Sequence, residues 1–439
     1  MATAGAMSKA VRRELDNGLT AIVRSQKGVP IGSFWVWYRV GGRNEVPGIT
    51  GISHWAEHML FKGTHEMQAG EVFRQVSAAG GSLNGFTWID FTTYFETMPI
   101  DQINLSLKIE SDRMVNARFD EDEVASERTV IISERRGNEN QPTFFLSEEV
   151  SAAAFRAHPY GQGVIGHMSD LEGITRQELY SHYQTYYRPN NAVAVFVGDL
   201  DEDEAFARIE RAFGAVERGP EIPAVRTREP EPQGERRVTV RRPAPNRVLQ
   251  MAFLATNAAH ADAPALMIAD AILSGAKSIG LSGAGGTLGR SSRLYRSLVS
   301  TGLASSAGSS VSLTIDPSLF TIGVSLQPDS DPDQIESIVS EELARLATEP
   351  VPEDEFNRAI RQMRAQIAYA METVTSQAYW LGSMAIAAPQ RDSDEFLREL
   401  QAVTPADVQA VAARYLTPNR RTVGWLIPID EASNGAASE

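Results

Sequence analysis

At 439 residues the chain is long for a single hydrophobic core, so two domains are expected. With 42% hydrophobic and 22% charged residues the composition is that of a globular protein, and the net charge of −15 argues against nucleic acid as the main partner. Cysteine is absent, which excludes disulfides, thiolate metal ligands and cysteine nucleophiles.

Targeting signals are weak in this sequence. No apolar run reaches the roughly 20 residues that a membrane-spanning helix needs, so no membrane insertion is expected. Residues 1–10 contain no apolar segment of signal-peptide length. This favours a cytoplasmic protein, or a periplasmic one if the sequence is a processed form.

The order of apolar patterns predicts an α+β fold. In the first half the predicted strands are 19–23, 33–40, 91–98 and 192–198, and the predicted helices include the segment around residues 54–58, 70–79 and 101–117. In the second half the predicted strands are 248–254, 319–326 and 422–427, and the predicted helices are 265–273, 331–348 and 353–371. This irregular order favours antiparallel or mixed sheets flanked by helices.

A proline-rich segment divides the chain into halves of similar length. Residues 218–235 predict an extended linker between an N-terminal domain, 1–217, and a C-terminal domain, 236–439. Four residues at the end of the first half recur 229 positions later: Thr175, Tyr186, Pro189 and Asn190 match Thr404, Tyr415, Pro418 and Asn419. The two threonines are plausible helix N-caps. The pattern predicts a duplicated domain, and the alternative is two unrelated helix endings of similar sequence.

The most informative motif is His54-Trp-Ala-Glu57-His58. On a helix, His54 and His58 lie on one face with Glu57 close to them. Two imidazoles and one acid or base group suit a zinc ion that activates a water molecule. The order HxxEH is typical of the inverted zinc peptidases. The alternative is an exposed helix that carries two histidines by chance.

A zinc site needs a third ligand, and without cysteine it must be histidine or carboxylate. The candidate segment is 120–140, where Glu127 and Glu134 lie seven residues apart and would share a helix face. The β-branched residues 129–132 weaken the helix prediction. From composition alone, a solvated acidic face is the favoured interpretation of this segment.

The chain resembles the M16 peptidase family, in the subfamily of mitochondrial processing peptidase and its bacterial relatives. The resemblance covers nearly the whole sequence. The matching segments are His54 to Thr64, 80–87 (GGSLNGFT) followed by Asp90, Thr92 and Tyr94, Glu127 with Arg128, 130–134, 158–160 (HPY), 165–166, 187–191, 197–199 and 292–295 (SRLY).

The resemblance implies a role for each site residue. It implies one zinc ion per chain, bound by His54, His58 and Glu134. Glu57 corresponds to the general base, and Glu127 to a glutamate of the catalytic apparatus that orients a ligand. Asn84 corresponds to a residue that binds the substrate backbone, although in isolation it reads as a turn residue. Phe61 corresponds to an aromatic residue that lines the pocket beyond the scissile bond.

The sequence departs from the family after the SRLY motif. Many members have an arginine and a tyrosine there that polarise the substrate carbonyl, whereas this chain has Val299 and Ser305. The resemblance therefore predicts a heterodimer in which a homologous, zinc-free subunit supplies the missing pair, around a chamber that admits peptides or unfolded segments. The competing interpretation is a homodimer that functions without the pair.

Two other functions have some support in the sequence. The family includes scaffold subunits, but those generally have a degraded metal motif. The glycine-rich segment 274–291 has the spacing GxGxxxG over Gly283, Gly285 and Gly289, which faintly resembles a nucleotide-binding loop. Since helix, and not strand, is predicted before it, we interpret this segment as a flexible loop. A zinc endopeptidase is the function that the sequence predicts.

Overall fold

The computed structural model describes residues 8–281 and 288–429. The first half contains β1 Val11–Glu14, β2 Thr20–Ser25, β3 Ile31–Tyr38, α1 Ile52–Met59, α2 Glu71–Ala78, β4 Ser82–Thr87, β5 Thr92–Pro99, α3 Ile103–Asn116, α4 Glu121–Glu139, α5 Pro142–Ala154, α6 Met168–Gly173, α7 Arg176–Tyr186, β6 Ala192–Gly198 and α8 Glu202–Phe213. The second half contains β7 Arg236–Arg242, β8 Val248–Leu254, α9 Ala263–Ser274, β9 Ala304–Val311, β10 Leu319–Leu326, α10 Pro332–Thr348, α11 Glu353–Ala370, α12 Val374–Ala387, α13 Ser393–Ala402, α14 Pro405–Tyr415 and β11 Arg421–Pro428.

Two mixed sheets have the same strand order. The first runs β1-β2-β6-β3-β5-β4, and the second runs β7-β11-β8-β10-β9. Once β1 is set aside, the orders match strand for strand, and each sheet has its parallel pair at the same place, β2 with β6 and β7 with β11. The predicted α+β fold with a duplicated unit is confirmed.

The repeated helix ends are equivalent in structure as well as in sequence. The Thr175 side chain accepts a hydrogen bond from the backbone of Glu178, whose carboxylate accepts one from Thr175 in return. Thr404 and Asp407 form the same capping box at the start of α14. The two helices α7 and α14 therefore begin by the same local chemistry, 229 positions apart.

The halves exchange helices. Helix α12 of the second half packs on β3 and β6 of the first sheet, and α5 of the first half packs on β7, β8 and β11 of the second sheet. One hydrophobic cluster accordingly joins Trp35 and Trp37 to Leu381, and another joins Val150 to Leu426. Each sheet thus has one of its faces covered by the other half of the chain.

Polar contacts also cross between the halves. Arg24 on β2 is buried and donates a 2.6 Å hydrogen bond to Asp394 on α13. Gln377 donates to Gln26 over 2.6 Å. Residues 214–235 form no helix or strand, as expected for a linker. The domain boundaries at residues 217 and 236 stay a prediction. Helices α5 and α12 each pack on the sheet of the other half, so these boundaries in sequence do not separate the two cores in space.

Most predicted elements are confirmed within two residues. Helix α4 continues without interruption through its β-branched residues, because its apolar side packs on α1. Strand β4 was not predicted, since its sequence SLNGFT is poor in β-branched residues, and pairing with β5 forms it. Of the glycine-rich segment, residues 282–287, with Gly283 and Gly285, lie outside the described residues, as do residues 1–7 of the N-terminal segment. The helix α9 before that segment is confirmed.

None of the described helices is a candidate membrane span. Within residues 8–281 and 288–429, every helix is too short or too polar to cross a bilayer.

Because α12 packs on the first sheet, we expect the stability of the fold to be sensitive to substitution of Gly382. A methyl group added there would collide with the buried indole of Trp37. We expect Gly382→Ala to lower the free energy of unfolding by about 1–3 kcal/mol through overpacking. The matched control is Gly137→Ala, also within a helix, where the added methyl group meets no atom and helix propensity favours alanine by about 1 kcal/mol. Urea unfolding of both variants measures this, and an unchanged midpoint for Gly382→Ala would contradict the packing.

Candidate metal centre and active site

Helix α1 carries the two histidines and begins in an unusual way. Gly51 precedes it with a φ of 87°, a conformation that glycine adopts readily, and offers no side chain as a cap. Instead the carboxylate of Glu45 accepts hydrogen bonds from the amides of Gly51 at 2.7 Å and Ser53 at 2.8 Å. Burial raises the pKa of Glu45 to about 7. A carboxylate at this helix end both satisfies free amides and complements the helix dipole.

Helix α4 brings the third candidate ligand to the histidines. Nε2 of His54 and Nε2 of His58 each lie 3.7 Å from Oε2 of Glu134. The two imidazole rings stand 4.7 Å apart, nearly perpendicular to each other. Within the described parts of the chain, these three residues form the only histidine and carboxylate group whose ligand atoms converge closely enough to hold a metal ion.

The donor set fits zinc. Two ligands about 2.0–2.2 Å from one tetrahedral ion lie roughly 3.4 Å apart, close to the observed 3.7 Å separations. Burial lowers the pKa of His54 to about 4, so its ring is neutral at neutral pH, as a metal ligand must be. Glu134 is partly exposed, which leaves an open side for solvent. Two imidazoles and one carboxylate are the ligand set of many catalytic zinc sites.

Glu127 lies behind His58 rather than at the site itself. Nδ1 of His58 is 2.8 Å from Oε1 of Glu127, so Nδ1–H donates a hydrogen bond to the carboxylate and Nε2 is left free for a metal. The ammonium of Lys62 pairs with the other carboxylate oxygen. Burial opposes the charge on Glu127, but His58 and Lys62 outweigh it and lower the pKa of Glu127. Burial likewise opposes the charge on His58, and Glu127 and the neighbouring carboxylates outweigh it and raise that pKa.

Glu57 is buried beside the two histidines. Its Oε2 accepts a 2.8 Å hydrogen bond from the hydroxyl of Thr87 on strand β4. Burial raises the pKa of Glu57 to about 7, although the Thr87 hydroxyl acts in the opposite direction. A carboxyl group with a pKa near neutrality can both accept and return a proton, which suits a general base.

Two cavities flank the metal centre. One, of about 520 Å³, borders His54 and Glu134 and reaches across to Ser310 and Ser312 of the second half. The other, of about 530 Å³, borders Glu57 and His58 on the opposite side. The candidate metal centre thus lies in a cleft whose walls come from both halves of the chain.

The two predicted substrate-binding residues lie at opposite faces of strand β4, Phe61 against one face and Asn84 projecting from the other. Phe61 lines the cavity beside Glu57 and packs against Phe73, with ring centres 5.5 Å apart. Asn84 is exposed on β4, the last strand of its sheet, and its side chain accepts a hydrogen bond from the amide of Gly85. Because side chains alternate along a strand, Asn84 lies on the face of β4 opposite Thr87.

The residues that replace the arginine and tyrosine pair make contacts within the second half. Val299 is half-buried against the second hydrophobic core. Ser305 is exposed at the start of β9 and donates a hydrogen bond to the carbonyl of Ser325. The arginine of the SRLY motif, Arg293, is buried in an ion pair with Glu355 at 2.8 Å. Its visible role is structural.

Sequence reasoning missed three residues of the site: Glu45, Lys62 and Thr87. Glu45 and Thr87 reach α1 from other segments, so no local pattern announces them. Lys62 lies four residues after His58, and this helical spacing could have indicated it. His158 of the HPY segment pairs with Asp316 at 3.1 Å, a contact between the two halves.

Comparison with known proteins places this geometry in a family. The family model "Insulinase (Peptidase family M16)" matches residues 20–167, and the model "Peptidase M16 inactive domain" matches residues 173–363. An uncharacterised zinc protease of Mycobacterium leprae is 28% identical over 409 residues, which cover 92% of this chain and 89% of the relative. Zinc protease PqqE of Helicobacter pylori is 34% identical over 208 residues, 47% of each chain.

Solved structures have the same fold. A protease from Helicobacter pylori superposes with a TM-score of 0.90 and 25% identity, covering 96% of this chain and all of its own. A peptidase M16 inactive domain from Pseudomonas fluorescens superposes with a TM-score of 0.85 and 17% identity, covering 96% of this chain and 98% of its own, which bears on the fold alone. The family models together cover most of the sequence, and this chain belongs to the M16 peptidase family.

Proposed function

We propose that this chain is a zinc-dependent endopeptidase of the subfamily of mitochondrial processing peptidase and its bacterial relatives. The observation that carries the proposal is the convergence of His54, His58 and Glu134 with Glu57 beside them. The homologues named zinc proteases support it. The substrates are peptides or unfolded segments of proteins that enter the cleft between the halves.

The proposed mechanism assigns one task to each residue. His54, His58 and Glu134 would hold one zinc ion, which when bound would lower the pKa of water and polarise a carbonyl group. Glu57 takes a proton from the attacking water and later delivers it to the leaving amine. Glu127 holds the ring of His58 in the orientation and tautomer that metal binding requires.

The substrate is proposed to bind as an extended strand along β4. This strand ends its sheet, so its outer backbone groups are available to a peptide. Asn84 would contact the substrate backbone there. The cavity lined by Phe61 and Phe73 would receive a side chain next to the scissile bond, and its aromatic rings favour an apolar one.

A homologous partner subunit is part of the proposal. The described residues that line the cavity beside His54 and Glu134 include neither lysine nor arginine. Apart from the proposed zinc ion, developing negative charge on a substrate carbonyl would therefore meet no cationic side chain there, an interaction often worth about 3–4 kcal/mol. A zinc-free M16 subunit with the arginine and tyrosine would supply it, and a homodimer without the pair is the alternative.

A scaffold role is the second candidate. The description "inactive domain" for the match to residues 173–363 agrees with the second half, where helix α9 takes the place of α1 and carries no histidine. It does not concern His54, Glu57 or His58, which lie outside that match. A nucleotide-binding role has less support, since the glycine-rich segment follows a helix and not a strand.

The general base can be tested with Glu57→Gln. We expect this variant to bind zinc normally and to lower kcat for peptide hydrolysis by about 10²–10⁴-fold, because it removes proton transfer without removing a ligand. Glu121→Gln, in the exposed first turn of α4, is the matched control and should keep full activity. Bound zinc is measured by atomic absorption and hydrolysis with a quenched fluorescent peptide. Equal rates for wild type and Glu57→Gln would contradict the assignment.

The need for a partner can be tested with the zinc-loaded chain, assayed alone and mixed with a zinc-free M16 chain that carries the arginine and tyrosine. We expect hydrolysis to rise by about 10²–10³-fold on mixing, the cost typical of a missing oxyanion donor. An equal rate without the partner would contradict the heterodimer. Bound zinc without hydrolysis in either sample would favour the scaffold.

The role of Glu127 makes a separate prediction. Glu127→Gln keeps the shape of the side chain but weakens its hold on Nδ1 of His58, so zinc affinity should fall by about 10–100-fold. Competition with a chromophoric chelator measures this directly. Glu121→Gln again serves as the control, since Glu121 is exposed on the same helix. An unchanged zinc affinity in Glu127→Gln would exclude the orienting role.

A further inference from the structure

A third cavity lies on the other face of strand β4 from the metal centre. It measures about 360 Å³ and lies between the two halves. Aromatic rings from both halves form much of its wall, from Phe86, Trp88, Phe91, Tyr379 and Trp380. Pockets of roughly this size and composition are typical binding sites for apolar groups.

The alternation of side chains along β4 relates this cavity to the metal centre. Thr87 points to the α1 side and contacts Glu57. Gly85, with the same parity, faces Phe61, since a Cβ at Gly85 would lie 3.0 Å from that ring. Phe86 points to the opposite side, where it packs against Tyr379 with ring centres 6.4 Å apart. The two faces of one strand thus serve two different cavities.

A peptide paired with the outer edge of β4 must follow the same alternation. Its residues opposite Gly85 and Thr87 project toward Phe61 and the metal centre, and its residue opposite Phe86 projects beside that ring. Trp88 and Ser312 line both this cavity and the one beside His54, so the two cavities adjoin in the gap between the sheets. Trp88 is 49% exposed, as an unoccupied contact surface would be.

The lining decides which side chain fits. The described lining residues include neither lysine nor arginine, so the cavity offers no positive charge to an acidic substrate side chain. Its carboxylate, Asp90, already accepts hydrogen bonds from the hydroxyl of Tyr160 and the amide of Ile315. A basic substrate side chain would have to compete for that carboxylate, whereas an aromatic or large aliphatic one needs no polar partner.

We propose that this aromatic cavity is a specificity subsite that receives an aromatic or large aliphatic side chain of the peptide strand paired with β4. This rests on the proposed function. The enzyme has two apolar preferences, one in the Phe61 cavity and one in the aromatic cavity. The positions of these two substrate residues differ by an odd number (i and i+1, or i and i+3), because they lie on opposite faces of one strand.

Peptides in which phenylalanine is moved through an alanine and serine background test the subsite. With the active enzyme, phenylalanine should raise kcat/KM by about 10–100-fold at two positions whose residue numbers differ by an odd number. Binding of the same peptides to zinc-loaded Glu57→Gln, followed by tryptophan fluorescence, should show the same two preferences without turnover.

A cavity-filling variant identifies which preference belongs to the aromatic cavity. Ser383 on α12 lines it and is half-buried. Ser383→Phe should abolish one of the two preferences and keep the other, whereas the control Ser383→Ala should keep both. If peptides are cleaved with a single preference, or with two at an even separation, the subsite is wrong and the peptidase proposal stands. If no peptide is bound or cleaved, both are wrong.

Discussion

The packing of α1 against α4 is the contact on which the site depends. Helix α1 has only eight residues, too few to be stable alone, and it holds its place through neighbours. Arg128 of α4 lies over the ring of Trp55 at 4.7 Å, and Glu127 binds His58 at 2.8 Å. These contacts fix the register of the two helices, and Glu134, two turns further along α4, then reaches the histidines. A shift of one turn would leave His54 and His58 without their third partner.

The second half of the chain helps to form the cleft around this candidate centre, and its described residues contribute none of the candidate ligands. It repeats the strand order of the first sheet, and its helix α9 is apolar where α1 carries histidines. The exchange of α5 and α12 makes each half depend on the other for its core. As a result the walls of the cleft are held at a defined distance. The duplicated half therefore acts as a rigid wall of the cleft, with cavities on both faces of β4.

Much of this could be predicted from the sequence, and the limits have physical causes. The spacing of His54 and His58 and the seven-residue interval between Glu127 and Glu134 are local helical patterns, so both helices were expected. The capping residues Thr175 and Thr404 revealed the repeat for the same reason. Three features depend on segments that are distant in sequence: strand β4, the Glu45 cap and the contact of the Thr87 hydroxyl. The exchange of α5 and α12 is likewise determined by tertiary packing, and no local sequence pattern indicates it. The roles of Asn84 and Phe61 came from resemblance, and their placement beside β4 gives those roles a geometry to test.

We propose that His54, His58 and Glu134 together hold one catalytic zinc ion. Anomalous diffraction at the zinc edge, from crystals of the zinc-loaded chain, would locate that ion. We expect one zinc ion per chain, with two imidazole nitrogens and one carboxylate oxygen at about 2.0–2.2 Å and an open position toward the cleft. A zinc ion bound elsewhere, or a fourth protein ligand that closes the site, would contradict it.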